Sequence, residues 1–120
     1  MLTLKTKLPK DFGRILKDEE GRITSIVENS DANAQQKTID EYNTGVYCFE
    51  KDLVFEAIMH IDNNNSQAEY YLTDTIEYLV RNGHPVQAIQ TKDANEILGI
   101  NSPDDLNQAE RLLVDHHRLS

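Results

Sequence analysis

The sequence predicts an α/β fold, a mixed sheet with flanking helices on at least one face. Three observations carry that expectation. Apolar and polar residues alternate at period two near the start, as in half-buried strands. Apolar residues recur at helical spacing in the second half. Strand-like and helix-like segments interleave there, as the crossovers of a mixed sheet require. By length, residues 1–120 are expected to fold as one domain. A chain of this size buries about two-thirds of its unfolded surface, enough for a core without disulfides or metals.

Each element follows from local chemistry. Leu2-Thr3-Leu4-Lys5-Thr6-Lys7-Leu8 alternates cleanly and predicts a strand stopped by Pro9, which has no N–H to donate. Residues 13–17 and 22–28 are a second and third strand, joined as a hairpin by Asp18-Glu19-Glu20-Gly21. Residues 29–37 lack apolar periodicity and are expected to form a loop with at most a helical turn. Asn43-Thr44-Gly45-Val46-Tyr47-Cys48-Phe49 is apolar on both faces and is expected as an interior strand. Asp52 is expected to N-cap a helix through Leu53, Val54, Ala57 and Ile58. Asp74 and Glu77 have capping-box spacing ahead of Ile76, Leu79 and Val80, with Gly83 and Pro85 closing that helix. Residues 86–90 are expected as a short strand. Ser102-Pro103-Asp104-Asp105 then opens a helix that Leu106, Ala109 and Leu113 continue.

Composition narrows the function. With 38% hydrophobic and 28% charged residues the chain is neither disordered nor fibrous. No apolar run approaches the roughly 20 residues of a membrane helix, and the first residues are basic and polar rather than a signal peptide. A cytoplasmic location is therefore expected, without membrane contact. The net charge of −9 is uneven. Lys5, Lys7, Lys10, Arg14 and Lys17 face only Asp11 in residues 1–17, a sum of +4, and the remainder carries −13. An acidic body disfavours nucleic acid. The basic start is read as a solvated strand face, with a phosphate-facing strand as the other reading.

Several chemistries are missing from the sequence. The five glycines, at 13, 21, 45, 83 and 99, form neither GxGxxG nor a P-loop. His60, His84, His116 and His117 lack metal-ligand spacing, and His116-His117 reads as surface. Cys48 rules out an internal disulfide and is expected to be a buried small hydrophobe. What stands out instead is a set of polar groups at strand ends and before helices. Glu28 ends a strand, Asn43 begins one, Glu69-Tyr70-Tyr71-Leu72-Thr73-Asp74 precedes a helix, and Asn101 precedes another. In open α/β sheets such positions converge on the ligand crevice, where carboxylates and amides can read sugar hydroxyls.

Phe12-Gly13-Arg14-Ile15, Ile26-Val27-Glu28, Asn43-Thr44-Gly45-Val46-Tyr47, Glu69-Tyr70-Tyr71-Leu72-Thr73-Asp74 and Gly99-Ile100-Asn101 occur in this order. Together they resemble the bacterial N-acetylglucosamine-1-phosphate uridyltransferases, or UDP-N-acetylglucosamine pyrophosphorylases, over residues 2–113. The resemblance implies a partial nucleotide-diphospho-sugar transferase (Rossmann-like) fold. It also implies transfer of UMP from UTP to N-acetylglucosamine-1-phosphate, releasing pyrophosphate, a step toward peptidoglycan precursors. In bacteria this activity usually forms one domain of a bifunctional enzyme with an acetyltransferase.

The resemblance assigns residues as well. Gly13 matches the backbone contact on the N-acetyl side, Glu28 the carboxylate for sugar hydroxyls, and Asn43 the amide for the sugar and its phosphate region. Glu69, Tyr71 and Thr73 match the N-acetyl pocket, and Asn101 the asparagine that shares Mg2+ with an aspartate. No catalytic residue is assigned. The family's glycine-rich nucleotide loop and its magnesium aspartate have no counterpart here. The chain is therefore expected to be the C-terminal, sugar-binding half of that domain, inactive alone, binding UDP-N-acetylglucosamine or N-acetylglucosamine-1-phosphate. A sheet face or edge uncovered in this way is expected to favour homo-oligomers. The other reading is a non-catalytic sugar-phosphate-binding or protein-interaction module.

Overall fold

The structure is a computed structural model that describes residues 1–8, 10–100 and 102–119, with 116–119 by backbone alone. Its elements are β1 (Leu2–Lys5), β2 (Arg14–Lys17), β3 (Ile23–Val27), β4 (Glu41–Asn43), α1 (Lys51–Ile58), α2 (Asp74–Arg81), β5 (Ile89–Thr91) and α3 (Pro103–Leu119). Single 3-10 turns occupy Gln36–Thr38 and Ala94–Ile97. The sheet runs β3-β2-β4-β1-β5. Only the β1–β5 pair is parallel, so the expected mixed α/β sheet is borne out.

The β2–β3 hairpin forms where the turn residues predict it. Gly21 adopts φ +80°, and Asp18 Oδ1 accepts from the backbone N–H groups of Glu20 and Arg22. Ile15, Ile23 and Ile26 of the hairpin pack on Ile76 of α2 to form the core. Met1, Tyr47, Phe49 and Val86 close over them. Full burial of side chains this size contributes roughly 1.5–3 kcal/mol each.

Several boundaries differ from the expectations, each for a local reason. The first strand ends at Lys5 because β4, its antiparallel partner, begins at Glu41. Leu8 beyond it is 68% exposed, and Pro9 lies outside the described residues. The interior strand is interior, but it covers Glu41–Asn43 and not residues 43–49. Gly45 at φ +77° turns the chain out of the ladder, and Asn43 Oδ1 accepts the Gly45 N–H. Cys48 consequently lies in an irregular segment and is exposed, not buried. The last strand is displaced to Ile89–Thr91, in parallel register with β1.

The helix starts differ too. Glu50, without a side-chain bond, takes the N-cap of α1, and Asp52 falls in the first turn. Thr73, not Asp74, caps α2, and no capping box forms. The Thr73 hydroxyl is committed to Glu28 instead, and Glu77 pairs with Arg81 one turn on. Ser102 does cap α3 as expected, its Oγ accepting from the Asp105 N–H. His116 and His117 fall in α3, where their side chains lie outside the described residues.

The basic start stays largely at the surface, where two of its lysines form ion pairs, and Arg14 is the exception. Lys5 pairs with Asp40, and Lys17 with Glu41 at 2.5 Å. Arg14 corrects the solvated-face reading. It is 5% exposed, lies 4.9 Å over the Tyr42 ring, and donates to Phe12 O and Asn29 Oδ1. No helix is long and apolar enough to cross a membrane among the described residues.

Candidate sugar-binding site

Gly13, Glu28, Asn43 and Thr73 come from four separate segments and meet at one end of the hairpin. Gly13 leads into β2, and its carbonyl accepts the Asn43 N–H at 2.8 Å. A Cβ at Gly13 would stand 3.0 Å from Ile26 Cγ2, 3.3 Å from Val27 O and 3.4 Å from Glu28 Oε2. The glycine is thus a matter of space, since any side chain would press on the hairpin and on Glu28. Glu28 follows β3 directly. Its Oε1 accepts the Thr73 hydroxyl at 2.8 Å, which leaves Oε2 beside Gly13.

Asn43 ends β4, and its amide orientation is fixed by its neighbours. Oδ1 accepts from the Gly45 N–H at 3.1 Å and from the Tyr47 hydroxyl at 2.8 Å. A backbone N–H can only donate, so the oxygen must face it and the NH2 group must point the other way. Tyr47 stacks on Phe49 with ring centroids 5.3 Å apart. Burial, with the Glu28 charge adding to it against the Asn43 bond, pushes the Tyr47 hydroxyl up to about 12, so it stays a donor at neutral pH.

The segment before α2 is clasped to the chain just after Glu28. Asp31 Oδ1 accepts the Ser66 N–H at 2.8 Å, and Oδ2 accepts the Tyr71 hydroxyl at 3.2 Å. Gln67 Nε2 donates to Ser30 Oγ and to Tyr71 Oη. Ser66 first, and then the Tyr71 and Ser30 hydroxyls, hold the Asp31 carboxyl below its ordinary range by hydrogen bonding. Ala68, at φ +54°, completes the turn. Tyr71 is thus held by its hydroxyl between Asp31 and Gln67. Glu69 is exposed, and its carboxylate makes no hydrogen bond among the described residues. Asn101 lies outside the described residues, and the structure brings four of the seven assigned positions, Gly13, Glu28, Asn43 and Thr73, into direct contact.

The electrostatics of this corner are acidic. Asp74 at the start of α2 is pushed up by burial and then by the charges of Glu77, Asp62, Glu28 and Asp31. Glu28 Oε2, without a hydrogen-bond donor among the described residues, is the kind of carboxylate oxygen that accepts from hydroxyls and repels phosphate. The Asn43 NH2 supplies the complementary donors. Two hollows of about 750 and 430 Å³ lie to one side, and Tyr47 lines the smaller.

Comparison with known proteins decides the family. The profile described as Nucleotidyl transferase matches residues 1–113. The chain belongs to the nucleotidyl transferase family. The five-stranded mixed sheet with three helices is accordingly part of a nucleotide-diphospho-sugar transferase domain. The chain is also similar to proteins called bifunctional protein GlmU. That of Acetivibrio thermocellus is 47% identical over 105 residues, 88% of this chain and 23% of the relative. That of Geobacillus sp. WCH70 is 42% identical over 113 residues, 94% and 25% of the two chains. That of Bacillus subtilis is 42% identical over 115 residues, 96% and 25%. The chain therefore spans about a quarter of the length of the curated relatives it matches.

Two residues of this candidate site escaped the sequence reading. Tyr47 stood inside a quoted motif, but only its irregular backbone turns its hydroxyl onto Asn43. Asp31 sat in a stretch read as a plain loop, and its partners lie 35 to 40 residues away. No local signal marks either.

Proposed function

We propose that this chain is the sugar-recognition part of an N-acetylglucosamine-1-phosphate uridyltransferase. In that reading Glu28 Oε2 accepts sugar hydroxyls, and the Asn43 amide donates to the sugar or its phosphate. Gly13 offers backbone close to the N-acetyl group, and Glu69, Tyr71 and Thr73 border it. The observation that carries the reading is the convergence of Gly13, Glu28, Asn43 and Thr73 through direct hydrogen bonds and contacts. Similarity to the GlmU relatives supports it.

Chemically, this portion orients the sugar phosphate for attack on the α-phosphorus of UTP, a role of positioning. Neutralising the phosphates is a separate task. The described residues do not fit the Mg2+ that the family implies, since no three or more His, Cys, Asp or Glu side chains among them form a metal-holding group. Asn101 would offer one neutral oxygen, too little alone for a hard cation. With no glycine-rich loop in these 120 residues, they are inactive alone. Cytoplasmic work on nucleotide sugars, away from membranes and nucleic acid, belongs to the same proposal.

The test is pyrophosphate release from UTP and N-acetylglucosamine-1-phosphate with Mg2+, alongside a titration with N-acetylglucosamine-1-phosphate monitored by NMR. No turnover, with perturbations centred on Glu28, Asn43 and Thr73, is expected. Robust turnover by these 120 residues would overturn the inactive-alone claim. No perturbation at millimolar ligand would overturn the sugar-binding claim and favour a protein-interaction module. Self-association through the uncovered sheet edge at β5, where Ile89 is 76% exposed, is tested separately by sedimentation; a monomer at high concentration counts against it.

A further inference from the structure

Arg14 stands one row behind the candidate site. It is paired with Val27 of β3 on one side and with Tyr42 of β4 on the other. Because β2 runs antiparallel to both strands, the next row along is Gly13, Glu28 and Asn43. The Asn43 N–H bonded to Gly13 O lies in that row, as does the close approach of Gly13 to Glu28 Oε2. Side chains alternate between the faces of a sheet, so Arg14 leaves on the face opposite to the side chains of that row. At 5% exposure it is out of a ligand's reach. Its guanidinium nonetheless extends past the row. Nη1 donates to Phe12 O, just before Gly13, and to Asn29 Oδ1, just after Glu28. One nitrogen thus ties together the two chains that carry Gly13 and Glu28.

We propose that Arg14 is a positioning residue for sugar recognition: by bridging Phe12 O and Asn29 Oδ1 it fixes the spacing between the Gly13 backbone and the Glu28 carboxylate. The inference rests on the sugar-binding reading above and deepens it. Stability alone does not account for an arginine here. Arg14 makes no ion pair among the described residues, and its Nε is buried without a hydrogen-bond partner there. A charge taken out of water with no opposite charge beside it costs stability, and an unpaired buried donor adds to that cost. The Tyr42 ring, 4.9 Å from the guanidinium carbon, offsets only part of it. Geometry does account for it. The guanidinium presents several N–H groups in a rigid plane, so one end can hold two acceptors at a set separation. A lysine ammonium would stand where the guanidinium carbon is, one bond short of Nη1.

The experiment compares Arg14→Met, which keeps an apolar stem over Tyr42, and Asn29→Ala, which removes one end of the bridge, with wild type in the full chain. Three readouts are taken: the urea midpoint, the backbone 15N–1H heteronuclear NOE without ligand, and an NMR titration with N-acetylglucosamine-1-phosphate. Arg14→Met is expected to unfold at the wild-type midpoint or above it. The NOE should fall at Gly13 and Glu28 in both variants and hold at Ile15 and Ile26 in the strands. Sugar phosphate binding should weaken by about three- to thirtyfold, the reach of a residue acting through others. Stability and binding moving in opposite directions is what a merely structural arginine would not give. An unchanged NOE at Gly13 and Glu28 overturns the positioning role, and Asn29→Ala decides this if Arg14→Met does not fold. An equal fall at Ile15 and Ile26 overturns it too, since Arg14 would then support the whole hairpin. A lowered NOE with wild-type affinity overturns the link to recognition. A wild type that binds no sugar phosphate overturns the sugar-binding reading and that link together, while the ligand-free NOE still decides whether Arg14 holds the row.

Discussion

Thr73 and Glu28, 45 residues apart, are joined by a hydrogen bond of 2.8 Å from the threonine hydroxyl to Glu28 Oε1. The threonine is buried and stands at the N-cap of α2, yet it gives its hydroxyl to the hairpin and not to its own helix. The bond ties α2 to the end of β3 at the point where the site opens. Thr73→Val keeps the shape and removes the donor, so it should cost about 1.5–3 kcal/mol, the range for bonds to charged groups. Urea unfolding measures the loss. Thr73→Ser should recover most of it, and an equal loss in both variants would sink the assignment.

Gly13 is held to glycine by space. Its hypothetical Cβ meets Ile26 Cγ2 at 3.0 Å and a backbone oxygen at 3.3 Å, and only the first can yield. Gly13→Ala should destabilise by about 1–3 kcal/mol, as overpacking does. It should also weaken sugar phosphate binding, since the displaced strand end carries Glu28. Thermal unfolding and an NMR titration separate the two effects. An alanine variant as stable as wild type would show that the hairpin gives way freely there.

Ala68 holds a left-handed conformation, φ +54°, that costs an L-residue roughly 1–2 kcal/mol. Glycine removes that strain but restores about 0.4–1 kcal/mol of unfolded-state freedom. Ala68→Gly is therefore expected to stabilise the chain by about 0.5 kcal/mol, read as a higher urea midpoint with an unchanged slope. A destabilised variant would mean that the Asn65 and Asp31 contacts already absorb the strain.

How legible all this was depends on range. The hairpin was readable because Asp18-Glu19-Glu20-Gly21 encodes its turn within four residues, and Gly83 marked the end of α2 with the positive φ it now shows, +82°. The misplacements came from long-range competition. Thr73 abandoned its capping role for Glu28, and residues 44–46 left the ladder while keeping irregular bonds to Leu2. The family resemblance picked out Glu28, Asn43 and Thr73 as a set, and the fold does converge them. Period and propensity alone would not have joined positions 28 and 73, because no local rule relates them.

The carboxylates make opposite predictions for pH. Asp74 is raised above its ordinary 3.8 by burial and then by its acidic neighbours. The folded state therefore binds its proton more readily than the unfolded state, and charging Asp74 costs stability as pH rises through that raised value. Glu41 runs the other way. Burial alone would raise it, but hydrogen bonds from Lys17 and Thr3 hold it below 4.5. Its contribution is fully present above 4.5 and is lost as pH falls through the lowered value. Asp74→Asn should thus raise the melting temperature at pH 7, with the gain shrinking as pH drops and vanishing only below about 3.8, where the unfolded aspartate is protonated too. Glu41→Gln should lower the melting temperature at pH 7, and its difference from wild type should fade in acid. Melting curves of the three proteins from pH 7 down to the acid limit check both signs. If Asp74→Asn melts lower at every pH, attraction between the Asp74 charge and the start of α2 outweighs the repulsion from Glu28, Asp31, Asp62 and Glu77.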